Sequence, residues 1–174
     1  MDEKEIKQLL AADAPEGVAR IYDFAGQELY GYLVGLTGST HDGEELLHDL
    51  FIRIVDKQEK LAAAVNLKAY LFRMAANLAY DRLRYKQKQA HGLEDYAVIL
   101  EADETNEISG EEQSKLNRAL AALPQEQREA VVMKFFMKKT FGEIAALRGC
   151  SENTIVSRYR YALQKLKAFM EDEK

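Results

Sequence analysis

The sequence predicts an all-α fold of two small helical domains joined by a flexible acidic linker, the second domain a helix-turn-helix. Three observations predict it. Apolar residues recur at helical spacing through both halves of the chain, and 2 Pro and 10 Gly in 174 residues are too few for a many-turned β-sandwich. Residues 92–114 hold eight acids and no Lys or Arg. The last third carries a short capped helix, a Gly turn and a long basic helix. The domains therefore run over 1–90 and 111–174, with the linker at 91–110.

Taken in order, residues 3–12 form a short amphipathic helix through Ile6, Leu9 and Leu10. A second helix spans about 16–36, with Val18, Ile21, Tyr22, Ala25, Leu29, Tyr32, Leu33 and Leu36 at steps of three and four, and stops at the turn-rich Thr37-Gly38-Ser39-Thr40. A third starts at Asp42 as N-cap and runs to about Gln58; Leu46, Leu47, Leu50, Phe51, Ile54 and Val55 are its buried stripe. A loop is expected at 59–66, then a fourth helix from Asn66 or Leu67 to about Lys88. The linker reads as a solvated tether, although Tyr96-Ala97-Val98-Ile99-Leu100 is apolar enough to dock. Beyond it come a helix at 111–122 and another with Pro124 in its first turn and Ala130, Val131, Met133 and Phe136 as its apolar residues. Thr140 and Glu143 form a capping box, Gly149 ends the helix they open, and Ser151 caps the last helix, to about Met170.

The net charge of −5 conceals strong local asymmetry. Residues 1–67 carry −7, 68–91 carry +5, 92–114 carry −8 and 134–170 carry +6. Electrostatic footprints are local, so two basic blocks point to nucleic acid despite the acidic total. No run approaches the ~20 apolar residues that span a bilayer, and the charged start MDEKEIKQLL lacks a secretory signal's apolar core. A cytoplasmic protein without membrane insertion is expected. One Cys (Cys150) and three scattered His leave no disulfide framework within the chain and no zinc cluster, so no metal and no cofactor are expected. His48 beside Asp49 is no acid–base pair, because neighbours diverge around a helix. With no nucleophile–base set and no phosphate-cradling loop, no catalytic residue is named and the chain is not expected to be an enzyme.

Two faces carry the nucleic-acid signal. On the fourth helix Tyr70, Arg73, Asn77, Tyr80 or Asp81, Arg84 and Lys88 share one stripe. Cations interleaved with aromatic rings suit single strands, because cations track the backbone while rings stack on unpaired bases. On the last helix Ile155, Tyr159, Ala162, Leu166 and Phe169 turn inward, leaving Asn153, Val156, Ser157, Arg160, Gln164 and Lys167 outward, with Arg158 and Tyr161 on the flank. The second helix of a helix-turn-helix enters the major groove, where Arg and Asn make paired hydrogen bonds to base edges. The third helix turns Glu45, His48, Asp49 and Arg53 away from its leucines, which suits a protein partner.

The strings DGEELLHDLFIRIV, KAYLFRMAANLAYDRLR, ALAALPQEQREAVVMKFF and TFGEIAALRGCSENTIVSRYRYALQKLK, in this order, resemble the extracytoplasmic-function group of bacterial sigma factors over about residues 15–170. The resemblance implies a first domain equivalent to sigma region two, a second equivalent to region four, and no enzymatic activity. Implied partners are core RNA polymerase, through its β′ coiled coil and β flap, and promoter DNA; an anti-sigma factor is a further possible one. The β′ coiled coil falls on Leu47 to Arg53, with Leu47, His48, Asp49, Phe51 and Arg53 as contacts. The melted minus-10 strand falls on the fourth helix and the loop before it: Arg73 and Asn77 match contact positions, Tyr70 stands where Trp is usual, and Arg84 extends the stripe. Thr154, Ser157 and Arg158 match the minus-35 recognition helix, joined by the outward or flanking Asn153, Arg160, Tyr161 and Gln164. Val156, Tyr161 and Leu163 replace residues that are often basic in the family, which alters the expected minus-35 preference. The rival reading is a stand-alone helix-turn-helix regulator that binds operator DNA without polymerase.

Overall fold

Residues 2–90 and 110–172 are described by the computed structural model. The linker, including Tyr96 to Leu100, lies outside them. The first domain comprises α1 (Glu3–Ala12), α2 (Ala14–Thr37), α3 (Thr40–Asp56), α4 (Gln58–Ala62) and α5 (Leu67–Ala90). The second comprises α6 (Gly110–Ala122), α7 (Gln125–Val131) with a π-helical turn over Val132–Phe136, α8 (Phe141–Arg148) and α9 (Glu152–Asp172). Both domains are helical, as expected.

Local chemistry sets the ends of these helices. Thr140 and Glu143 close a reciprocal capping box at α8, satisfying backbone donors that the first turn leaves unpaired. Gly149 ends α8 with φ 65°, a left-handed conformation that side chains with a Cβ resist. Ser151 Oγ then accepts from Thr154 N at 3.1 Å, opening α9.

Four expectations are corrected. Ser39, not Asp42, caps α3: its Oγ accepts from Asp42 N at 3.2 Å. Asp42 sits one turn inside, 2% exposed, because Arg82 and Lys86 reach its two oxygens at 3.0 and 2.5 Å. Residues 58–62 are helix rather than loop, since Gln58, Glu59, Lys60, Leu61 and Ala62 all favour it. Pro124 takes the N-cap of α7, not its first turn. Tyr22, Val55 and Phe136, placed on apolar stripes by the sequence, are 59%, 52% and 46% exposed. For Phe136 the cause is the π-helical turn, whose wider spacing rotates its last residues away from the core.

The sequence also implies two separate cores with a weakly fixed orientation. Instead one buried cluster runs from Ile6, Leu29 and Phe72 through to Val132, Met133 and Ile144. Small domains bury their apolar surface incompletely, and here α2 packs on the π-helical turn after α7 while α5 packs on α8. Gly35 allows the closest approach: a Cβ there would lie 2.5 Å from a Val132 methyl. Tyr80 OH donates to Gln125 O at 3.2 Å, and Lys139 joins Lys68 on Glu28 at 2.5 and 2.6 Å. Burial pushes the Glu28 carboxyl up, but the two lysines outweigh it and hold the group below its ordinary range. Leu120, Leu123, Val131 and Ala162 form a smaller core of the second domain alone.

Candidate nucleic-acid and polymerase interfaces

α5 is buried on nearly every side. Leu71, Phe72, Met74, Ala75, Ala76, Leu78 and Ala79 all face protein. As far as Tyr80 only Arg73 and Asn77 are exposed, a seam one residue wide that continues through Asp81; beyond it the helix opens, with Arg84, Tyr85, Gln87, Lys88 and Gln89 all exposed. Tyr70 lies half-buried at its head, and Tyr80 is not on it. Tyr80 is 8% exposed, and burial first, then the nearby Glu129 carboxylate, push its hydroxyl far above the ordinary phenol range. At 1.5 Å per residue, Tyr70 to Asn77 spans roughly 10 Å, room for two or three nucleotides. Arg73 makes no ion pair within the described residues, whereas Arg84 is paired with Asp81.

The helix-turn-helix presents a broader face. Ile155 and Ala162 anchor α9, and the Phe141 and Tyr159 rings meet at 5.5 Å to fix it against α8. Asn153, Ser157, Arg160, Tyr161 and Gln164 are exposed, as the spacing predicted. Two matched residues are engaged within the chain. Thr154 Oγ1 lies 2.8 Å from Ser151 Oγ in the cap, and Arg158 pairs with Glu126 at 2.8 Å. Their free hydrogen-bonding capacity is smaller than the sequence implied.

On α3, His48, Asp49 and Arg53 are exposed while Leu47 and Phe51 are half-buried. Leu47, His48 and Phe51, but not Asp49 or Arg53, line a groove of about 530 Å³ whose walls include Tyr22, Ile52 and Val55, exposed by 59%, 52% and 52%. Sequence reasoning missed this groove. The signal was there: residues 47, 51 and 55 form a second apolar row beside 46, 50 and 54, and one helix face cannot bury both. A second missed surface is the turn after α7. Phe135 and Phe136 meet edge-on at 5.4 Å in the open, and Lys138, at φ 56°, places its Nζ 4.8 Å from the Phe135 ring centre.

No helix among the described residues is long and apolar enough to cross a membrane. Two family profiles match the chain, sigma-70 region 2 over residues 22–89 and sigma-70 region 4 over 113–166. The extracytoplasmic-function RNA polymerase sigma factor EcfG of Rhodopseudomonas palustris is 27% identical over 82% of this chain and 78% of its own. The corresponding SigW of Bacillus subtilis is 24% identical over 99% and 98%. Among solved structures, CnrH in complex with the cytosolic domain of CnrY overlays with a TM-score of 0.66 at 17% identity, covering 99% of each chain. The sigma factor RpoE with the anti-sigma factor NepR from Bartonella quintana gives 0.63 at 22% identity, covering 90% of this chain and 98% of that one. Two domains in the right order, each matched by its own profile, give the family: the chain is a sigma-70 family member of the extracytoplasmic-function group.

Proposed function

We propose that this chain binds core RNA polymerase, recognises the minus-10 and minus-35 elements of a particular promoter set and initiates transcription there. Family members are in general not enzymes, and this chain acts by binding alone, in the cytoplasm. The observation that carries the reading is the pair of dissimilar exposed faces on separate domains, a narrow seam on α5 and a broad recognition face on α9. In this reading Tyr70, Arg73, Asn77 and Arg84 hold the opened non-template strand. Asn153, Thr154, Ser157, Arg158, Arg160, Tyr161 and Gln164 sit in the minus-35 major groove. The α3 groove and its rim, Leu47, His48, Asp49, Phe51 and Arg53, take the β′ coiled coil. The Phe135–Phe136 turn, an exposed apolar knob on the other domain, suits the β flap.

RpoE was solved with an anti-sigma factor and CnrH with the cytosolic domain of CnrY, and an anti-sigma partner is proposed here on that likeness. In vitro transcription with core polymerase and a promoter library tests the reading. A sigma factor gives specific transcripts and binds promoter duplex poorly by itself. Tight binding of the isolated chain, with no transcript, would establish the stand-alone regulator instead.

A further inference from the structure

The match to sigma region 2 begins at residue 22, so α1 lies outside it. Yet α1 is seated firmly. Ile6 and Leu10 are buried, and the helix packs on α2, α4 and α5. Its polar face does something more specific. The Glu3 carboxylate accepts hydrogen bonds from Leu67 N at 3.1 Å and Lys68 N at 3.0 Å. These are the first two backbone donors of α5, which no residue within that helix can satisfy. Asn66 Oδ1 takes the third, from Ala69 N at 2.8 Å. One turn along α1, Lys7 Nζ donates to Ala64 O at 2.9 Å. The loop from 63 to 66 is therefore held at both ends by a helix more than fifty residues away in sequence. At its tip Val65 is 99% exposed, an apolar side chain fully in water, one step before Asn66 and five before Tyr70.

A carboxylate on a helix N-terminus is favoured by the helix dipole as well as by hydrogen bonding. Asn66 takes only the Ala69 donor, so the Glu3 contacts also stabilise the first turn of α5. What Glu3 and Lys7 add is a single position for the loop and for the first turn of the helix that presents Tyr70. We propose that α1 is a positioning element for promoter opening: Glu3 and Lys7 fix residues 63–66 so that Val65 and Tyr70 stand ready where unpaired bases emerge. Neither residue touches DNA. Both act through the loop, as supporting contacts do when a binding group must be in place beforehand. An apolar tip of this kind suits contact with an exposed base face, as apolar side chains inserted at base steps do elsewhere. The inference rests on α5 being the strand-opening face, so its test separates the two.

The experiment uses holoenzyme reconstituted with full-length variants on a promoter carrying 2-aminopurine at single non-template positions. Glu3→Ala, which removes both acceptors, should slow opening on duplex by about fivefold to thirtyfold, the scale of a lost helix cap. It should leave initial duplex binding unchanged, lose most of its defect on a pre-melted template, and alter the 2-aminopurine signal at one or two adjacent positions. Lys7→Met should do the same more weakly, and Lys7→Arg should restore opening. Glu5→Ala is the control, because it removes only the side-chain half of the capping box that α1 makes with Asp2. An equal opening defect in Glu5→Ala at matched thermal stability would make α1 merely structural and overturn the inference. Normal opening in both Glu3→Ala and Lys7→Met, with Asn77→Ala impaired, would overturn it too. Normal opening in Asn77→Ala and Arg73→Ala would remove α5 as the opening face, and this role of α1 with it.

Discussion

α5 and α9 are both long, basic and amphipathic, but they are embedded differently. Ten of the fourteen residues from Leu67 to Tyr80 are buried. In α9, among the described residues, only Ile155 and Ala162 are. Over these residues α5 is the axle of the first domain and leaves only Arg73 and Asn77 exposed. α9 lies on the rim of the second and projects most of its circumference. A duplex groove admits a whole helix, so a projecting helix suits it. A single strand needs only a line of contacts at nucleotide spacing, which a narrow seam supplies. The contrast in burial thus predicts which helix reads which form of DNA.

The largest expected effect tests embedding itself. Phe72 is fully buried with its ring 5.1 Å from that of Tyr32, so Phe72→Ala should destabilise the chain by about 3–5 kcal/mol. Leu163→Ala on α9, where the leucine is 45% exposed, should stay within about 0.5 kcal/mol. Urea unfolding measures both. A loss below about 1 kcal/mol for Phe72→Ala would mean that α5 is not clamped as described.

Next in size are the two readers. Arg160→Ala should weaken minus-35 binding by roughly 1–3 kcal/mol and relax preference at one base pair if it reads a base edge. If it meets phosphate only, affinity should fall evenly across sequences and the salt dependence should become shallower. Asn77→Ala should instead impair strand opening, because an amide can both donate to and accept from an unpaired base edge. Permanganate reactivity of promoter thymines, followed beside binding to a pre-melted template, separates opening from capture. Reversed phenotypes, with Asn77 acting on duplex binding and Arg160 on melting, would break the comparison.

Much of this contrast was legible in the sequence, because side chains on one helix report their own spacing. The α9 faces, the Thr140–Glu143 box and the Gly149 turn all emerge from three- and four-residue steps. The hidden features depend on partners distant along the chain. Asp42 looks like a cap because Asp favours caps; nothing local reveals that Arg82 and Lys86 draw it inward. Tyr80 shares the spacing of the wet stripe, but it is buried in the core, with its hydroxyl on the Gln125 carbonyl and Arg128 over its ring. Phe136 continues the apolar pattern of α7 until the π-helical turn displaces it. The docking of the two domains was invisible for the same reason, since no periodicity within α2 shows that Gly35 will face Val132.

The smallest effect is the sharpest discriminator. Along the α5 seam Arg73 is unpaired within the described residues, whereas Arg84 is bonded to Asp81 three residues earlier, with both side chains more than half exposed. A strand running along the seam would draw its phosphates toward Arg84 and be repelled by Asp81. Binding must therefore break this pair or forgo the cation. Exposed pairs at this spacing are worth about 0.2–0.5 kcal/mol, so the toll is modest. Asp81→Asn removes both the competitor and the repulsion, and should tighten holoenzyme binding to a pre-melted template by about twofold. The salt dependence on that template should steepen by roughly 0.7 for one added single-strand phosphate contact. Minus-35 duplex binding should not change, because α9 lies on the other domain. Arg84→Ala should cost less than Arg73→Ala in the wild-type background and more nearly the same once Asp81 is Asn. Equal tightening on duplex and pre-melted templates would show that Asp81 acts only through net charge, and the seam would lose its claim to a strand-specific path.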